Sequence, residues 1–136
     1  MAKPLNLADL GEALSGGPFH QFLGLRLLRA ERGLVEIALP FREEFLANPD
    51  QAYLHGGVIA SLADAAACFA VIASVGYDVP TIDLRIDYLR PASRGDLRAL
   101  GRVVKSGRTL AVADAEIYNH DNALVAVGRG LFSTKV

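Results

Sequence analysis

The sequence predicts an α+β fold in which an antiparallel sheet of five or six strands curls around one long central helix. Three observations predict it. Residues 58–75 form an apolar run broken by a single charge, Asp64. Four strand-like segments separated by turn residues follow that run, with no second long helix among them. The chain has 136 residues, 51% of them apolar, which allows one domain over 1–136 and leaves no room for separate cofactor and substrate domains.

Residues 5–14 read as a short amphipathic helix stopped by Ser15-Gly16-Gly17-Pro18. Residues 22–30 and 34–41, hinged at Glu31-Arg32-Gly33, read as a hairpin. Residues 42–54 read as a loop with Asn48-Pro49-Asp50 as its turn. Residues 56–76 are the long helix. Its length and hydropathy would suit a membrane span, but Asp64 near the centre would cost about 2.5–3.5 kcal/mol there, and alanine adds little transfer energy. It is therefore expected inside a protein core, with no membrane partner. Ala60, Ala63, Ala66, Ala67, Ala70 and Ala73 keep it thin enough for a sheet to approach closely.

In residues 81–90, Ile82, Leu84, Ile86 and Tyr88 alternate with Asp83, Arg85 and Asp87, the mark of a half-buried strand. Residues 91–95 turn it into a strand over 96–105, Ser106-Gly107 into one over 108–118, and His120-Asp121-Asn122 into one over 124–133. This is a meander beside a helix with no βαβ rhythm, so Gly56-Gly57 is no dinucleotide fingerprint. A sheet this small leaves edges that a second copy can cover, and a homo-oligomer is expected.

The single cysteine excludes an internal disulfide, and no secretory leader opens the sequence, which together point to a reducing cytosol. Neither C-x-x-C nor H-E-x-x-H occurs, so no metal is expected. The net charge of −1 argues against electrostatic attraction to nucleic acid or membranes. Its distribution is uneven: residues 85–108 hold seven basic groups (Arg85, Arg90, Arg94, Arg98, Arg102, Lys105, Arg108) against Asp87 and Asp96, a net +5 that leaves −6 elsewhere. That stretch is either a solvated sheet face or an anion-binding rim.

His55-Gly56-Gly57 stands where loop becomes helix. The first backbone N–H groups of a helix lack internal partners and carry the positive end of its dipole, and glycine lets a ligand come close. Such an end can serve as an oxyanion hole, or the glycines can simply make a turn. Asp64 is a carboxylate in an apolar helix, where acids persist because they pair or because they work; burial would raise its pKa and suit it to activating water. Gly56 and Asp64 are eight residues apart, about 12 Å along one helix axis. If both act on one carbonyl, Asp64 must come from a second copy of the chain.

Asn48-x6-His55-Gly56-Gly57-x6-Asp64, then the 81–90 strand, Pro91-Ala92 and Ser106-Gly107-Arg108-Thr109-Leu110, resembles the hotdog-fold acyl-CoA thioesterases of the phenylacetyl-CoA type, from about residue 20 to the C-terminus. The resemblance implies the hotdog fold, dimers and often tetramers, and hydrolysis of an aryl or medium-chain acyl-CoA to acid and free coenzyme A without a cofactor. It implies that the Gly56 N–H polarises the thioester carbonyl and that Asp64 of the other subunit is base or nucleophile. Asn48 and His55 would support the carbonyl side, and Thr81 would hold the water. Gly57, Arg90-Pro91-Ala92 and the run Lys105, Ser106, Gly107, Arg108, Thr109, Leu110 would bind coenzyme A, with Asp83 near the pantetheine channel. Two positions depart from the pattern: Ala52 replaces a common glycine, and Cys68 stands where some relatives have a water-orienting threonine. A hydratase or dehydratase acting on an acyl thioester, and a non-catalytic acyl-CoA-binding protein, are the rival readings. Tyr53, Phe69, Tyr77 and Tyr88 either face the acyl group or fill core.

Overall fold

The computed structural model describes residues 6–135. Leu5, where the first helix is predicted to begin, lies outside them. A 3-10 turn, Leu7–Asp9, leads into α1, Leu10–Gly16, which buries Leu10 and Leu14. A second helix, α2, Pro18–Leu23, occupies a segment that the sequence reading divides between a stop signal and a strand. Pro18 sits in its first turn, where the missing N–H costs nothing and the fixed φ favours the helix. The first hairpin is consequently shorter: β1, Arg26–Glu31, and β2, Leu34–Leu39.

Residues 42–54 are more ordered than a loop. A 3-10 turn, Glu43–Phe45, is followed by a small hairpin of β3, Leu46–Asn48, and β4, Gln51–Leu54. The long helix α3, Gly56–Val75, comes next, then β5, Thr81–Tyr88, β6, Leu97–Ser106, β7, Leu110–Tyr118, and β8, Leu124–Ser133.

The main sheet is antiparallel with order β1-β2-β6-β7-β8-β5. The simple meander is thereby corrected. β6, β7 and β8 are successive neighbours, but β5 does not pair with β6; it crosses to the far edge beside β8, and β6 docks on β2. Alternation shows that a strand is half-buried and says nothing of which neighbour it takes.

By length and composition α3 could cross a membrane, but it lies in the concave face of this sheet. The approach is close because both surfaces are built from small residues. Ala63, Ala66, Ala67 and Ala70 of the helix and Ala99, Ala111, Ala113, Ala115 and Ala126 of the strands are all buried. Opposite Ala66 stands Gly101, where a Cβ would lie 2.1 Å from the Ala66 carbonyl oxygen. Larger side chains, Val35, Ile37, Leu62, Ile117 and Phe132, close the core around this contact.

The ladder fixes two rows across the sheet. Tyr88, Ala126, Ile117 and Ala99 share one; Thr81, Phe132, Ala111 and Ser106 share the other. Six rungs of β7 separate them, about 20 Å at ~3.4 Å per residue.

Candidate active site

The first of these ends is built around the start of α3. His55 is its N-cap, and the ring Nδ1 accepts the Gly57 N–H at 2.8 Å. An accepting Nδ1 places the ring proton on Nε2. Glycine at 57 suits this cap, since a Cβ there would lie 3.0 Å from Nδ1 and the His55 ring would have to give way. The His55 N–H donates to the Phe45 carbonyl at 2.8 Å, and the Val58 N–H to the His55 carbonyl at 3.0 Å. Between these engaged groups, the Gly56 N–H finds no acceptor among the described residues. It carries the positive end of a twenty-residue helix dipole.

Tyr88, at the end of β5, donates its hydroxyl to the Gly56 carbonyl at 2.7 Å. Its ring would make only ordinary contact, 3.4 Å, with a Cβ on Gly56, so internal packing does not demand glycine at 56. Leu54 donates its N–H to the Ala92 carbonyl at 2.8 Å, tying the small hairpin to the chain leaving β5. A groove of about 390 Å³ results, lined by Gly56, Tyr88, Arg90, Pro91 and Ala92 among others. Gly56 and Arg90-Pro91-Ala92 are thus brought together. Asn48 is not: it sits at the hairpin tip, its side-chain oxygen engaged by the Asp50 N–H at 2.8 Å, while Leu46, two residues or about 7 Å nearer, pairs with Leu54 beside His55.

The second end is built around Asp64, two turns further along α3. Within one chain it is half-buried rather than enclosed, and its Oδ1 accepts the Thr81 hydroxyl at 2.8 Å. A bulge makes this contact possible. Thr81 pairs with Phe132 and Asp83 with Leu131, so Ile82 is the extra residue and Thr81 turns to the same face as buried Phe132. Asp83 consequently faces outward with Arg85 and Asp87, away from Asp64. Cys68, one turn on from Asp64, donates its thiol to the Val79 carbonyl at 3.5 Å. Burial, reinforced by the charges of Asp64 and Asp78, pushes this thiol up to about 12.

Lys105 to Leu110 form the exposed turn between β6 and β7 at this second end, where the Gly107 N–H donates to the Leu110 carbonyl at 2.8 Å. One chain therefore holds its two coenzyme-A candidate segments at opposite ends of the sheet. The basic stretch divides accordingly. Arg85, Arg94 and Arg98 pair with Asp87, Glu43 and Glu36, as a solvated face would. Arg90, Lys105 and Arg108, and also Arg102 in the middle of β6, have no ion pair among the described residues.

Tyr88, which by the sequence either faces the acyl group or fills core, is 52% exposed and so is not core; its hydrogen bond to the helix start is what sequence reasoning misses. Phe22 near the site is missed because the segment from Phe22 reads as strand, whereas it lies in α2.

A long helix wrapped by a six-stranded antiparallel sheet, with a free N–H at its start and a carboxylate two turns on, defines a hotdog enzyme of the thioesterase class. Residues 51–126 match the thioesterase superfamily, and the chain belongs to that family. It is 35% identical over 124 residues to the medium/long-chain acyl-CoA thioesterase YigI of Salmonella typhimurium, covering 80% of each chain. Among solved structures, zebrafish thioesterase superfamily member 2 superposes with a TM-score of 0.83 at 30% identity, covering 96% of this chain and 99% of that one. The Escherichia coli PaaI protein from the phenylacetic acid degradation operon gives 0.76 at 29% identity, covering 90% and 88%.

Proposed function

We propose that this enzyme hydrolyses an aryl or medium-chain acyl-CoA to a carboxylic acid and free coenzyme A, in sites shared between two copies of the chain. The observation that carries the reading is the unpaired Gly56 N–H at the positive end of α3, flanked by a groove that reaches Arg90. The relative named for medium- and long-chain acyl-CoA and the neighbour from a phenylacetic acid operon support the substrate class.

In the proposed reaction the thioester carbonyl accepts the Gly56 N–H. The carboxylate of Asp64 from the second copy takes a proton from water, and the water oxygen attacks the carbonyl carbon. The oxyanion that forms is stabilised by the N–H and the helix dipole. Its collapse breaks the C–S bond, and the departing thiolate takes the proton held by Asp64. The Thr81 hydroxyl donates to Asp64 and keeps lone pairs free to accept from the attacking water. His55 holds the first turn in place through its Nδ1.

The two-ended layout supports sharing. An antiparallel pairing of two copies along β5 would set the Gly56 and Arg90 end of one against the Asp64 and Lys105–Leu110 end of the other. Exposed Ile82, Tyr88 and Leu89 on and beside that edge suit such a contact. The reaction as proposed uses no metal or redox cofactor. Two pairs joining as a tetramer, and a cytosolic setting, complete the proposal.

The test is thiol release from a panel of aryl- and straight-chain acyl-CoAs by the purified protein, with its mass in solution measured alongside. Release by a species of two or four chains is expected; hydration of crotonyl-CoA without thiol release would replace the reading by a hydratase. Single turnover in ¹⁸O-water tests the role of Asp64: label left in the protein requires a nucleophile whose anhydride is opened at the Asp64 carbonyl, whereas label only in the product acid fits a base or an anhydride opened at the acyl carbon.

A further inference from the structure

We propose that Tyr88 is a positioning residue for the Gly56 N–H: its hydroxyl fixes the peptide between Gly56 and Gly57, and with it the direction of the donor that meets the thioester carbonyl; this rests on the acyl-thioester hydrolysis proposed above.

Two successive glycines open α3. Glycine has the widest backbone freedom of any residue, and the first N–H groups of a helix have no partners inside it, so this start would fray without outside support. The support acts peptide by peptide. The peptide between His55 and Gly56 carries the free N–H, and its carbonyl accepts the Val58 N–H at 3.0 Å. The peptide between Gly56 and Gly57 is gripped at both ends: its carbonyl accepts the Tyr88 hydroxyl at 2.7 Å, and its N–H donates to His55 Nδ1 at 2.8 Å. Gly56 lies between these two planes. Its φ and ψ are therefore held from both sides, and the free N–H keeps one direction.

The Tyr88 bond is not owed to an unsatisfied polar group. As the first residue of α3, Gly56 already offers its carbonyl to the Ala60 N–H four residues on, and Tyr88 is exposed enough for water to serve its hydroxyl. The bond also joins residues 32 apart in the chain. The Ser61 hydroxyl, by contrast, meets the Gly57 carbonyl at 2.8 Å inside its own helix, as serines commonly do.

Strand geometry delivers the tyrosine. Tyr88 pairs with buried Ala126, which places both side chains on the inner face of the sheet, toward α3. β5 thus gives α3 a hydroxyl at each end, Thr81 to Asp64 and Tyr88 to Gly56. The bonds at the Tyr88 end run one way, from phenol to peptide to imidazole, so each donor polarises the next.

The test is a double-mutant cycle on thiol release that reads kcat and KM separately. Tyr88→Phe keeps the ring and removes the hydroxyl; kcat is expected to fall about tenfold with KM within about twofold of wild type. In a Gly56→Pro background, where the donor is already gone, the same change should alter kcat by less than about twofold. Tyr88→Leu carries the same cycle if Tyr88→Phe fails to fold. Tyr118→Phe, beside Arg98 on the outer face of the sheet, should leave both constants unchanged. An unchanged kcat in Tyr88→Phe, a loss confined to KM, or an equal loss in both backgrounds would each overturn the proposal. If the wild type releases thiol from no acyl-CoA, the parent reading fails by itself. The clamp is then judged by amide hydrogen exchange in protein labelled with ¹⁵N-glycine. Exchange at Gly57 faster by about tenfold or more in Tyr88→Phe, with Gly101 in the core unchanged, supports it. Equal exchange at Gly57, or the same acceleration at Gly101, overturns it.

Discussion

The two ends of β5 are adjacent to the same helix and differ in almost every chemical respect. At the Tyr88 end the backbone is the functional material: an unpaired N–H, a helix dipole and a glycine that nothing in the protein's own packing requires. At the Thr81 end side chains are the material, a carboxylate and a hydroxyl joined at 2.8 Å. In the proposed reaction one end polarises and the other supplies the base, and within one chain about 20 Å of strand lies between them. On that proposal a single chain holds both components and does not bring them to one carbonyl.

The largest expected effect comes from the side-chain end. Asp64→Asn preserves shape and removes the base, and kcat for thiol release should fall by about 10²–10⁴. An unchanged kcat would remove Asp64 from the chemistry. The backbone end is tested by Gly56→Pro. Proline is tolerated in the first turn of a helix, and His55 already has the extended backbone that must precede one. The substitution deletes the one N–H, and a loss of about 10²–10³ in kcat is expected, with Gly56→Ala, which keeps the donor, closer to wild type. Equal losses for Pro and Ala would mean that space matters at 56 and the donor does not.

Mixing these two inactive variants tests whether the ends work across chains. Random pairing makes half the dimers mixed, each with one intact site, so about a quarter of wild-type activity should return. No recovery after verified subunit exchange would show that each chain works alone. A smaller effect is expected for Thr81→Val, which keeps the β-branched shape and loses the hydroxyl to Asp64: about tenfold in kcat with little change in KM. Cys68 should matter least. Its thiol is raised to about 12, so the thiolate is scarce until the pH nears that value, and iodoacetamide at pH 8 should leave both thiol and activity largely intact over an hour. Rapid alkylation with loss of activity would contradict this.

Much of this layout is legible in the sequence, for reasons that differ by element. The alanine-rich helix announces itself by an apolar run too long for a strand, and the strands read over 108–118 and 124–133 by the turn residues that bound them. The 12 Å separation of Gly56 from Asp64 needs only helix geometry. The place of β5 is not legible, because the alternation of Ile82 to Tyr88 is the same whether the strand pairs with β6 or β8. The Thr81–Asp64 contact also escapes a geometric reading: strict alternation would point Thr81 outward with Asp83, and only the bulge reverses it. α2 is lost for a third reason. Gly16-Gly17-Pro18 ends one helix, and the same proline starts the next.

That bulge also governs how copies of the chain can accumulate. An incoming strand can run in register along residues 83–88 but meets a kink and a displaced Ile82 at the start of the edge. At the opposite edge, β1 has its own irregularity between Leu27 and Arg29 and carries Arg26, Arg29 and Glu31. Under the proposed pairing along β5, one side of the sheet would take a single two-fold mate over a limited length, and the irregular, charged β1 edge would discourage another. Growth by strand addition would then stop at closure, and a sheet with two open sides would be kept from becoming a ribbon.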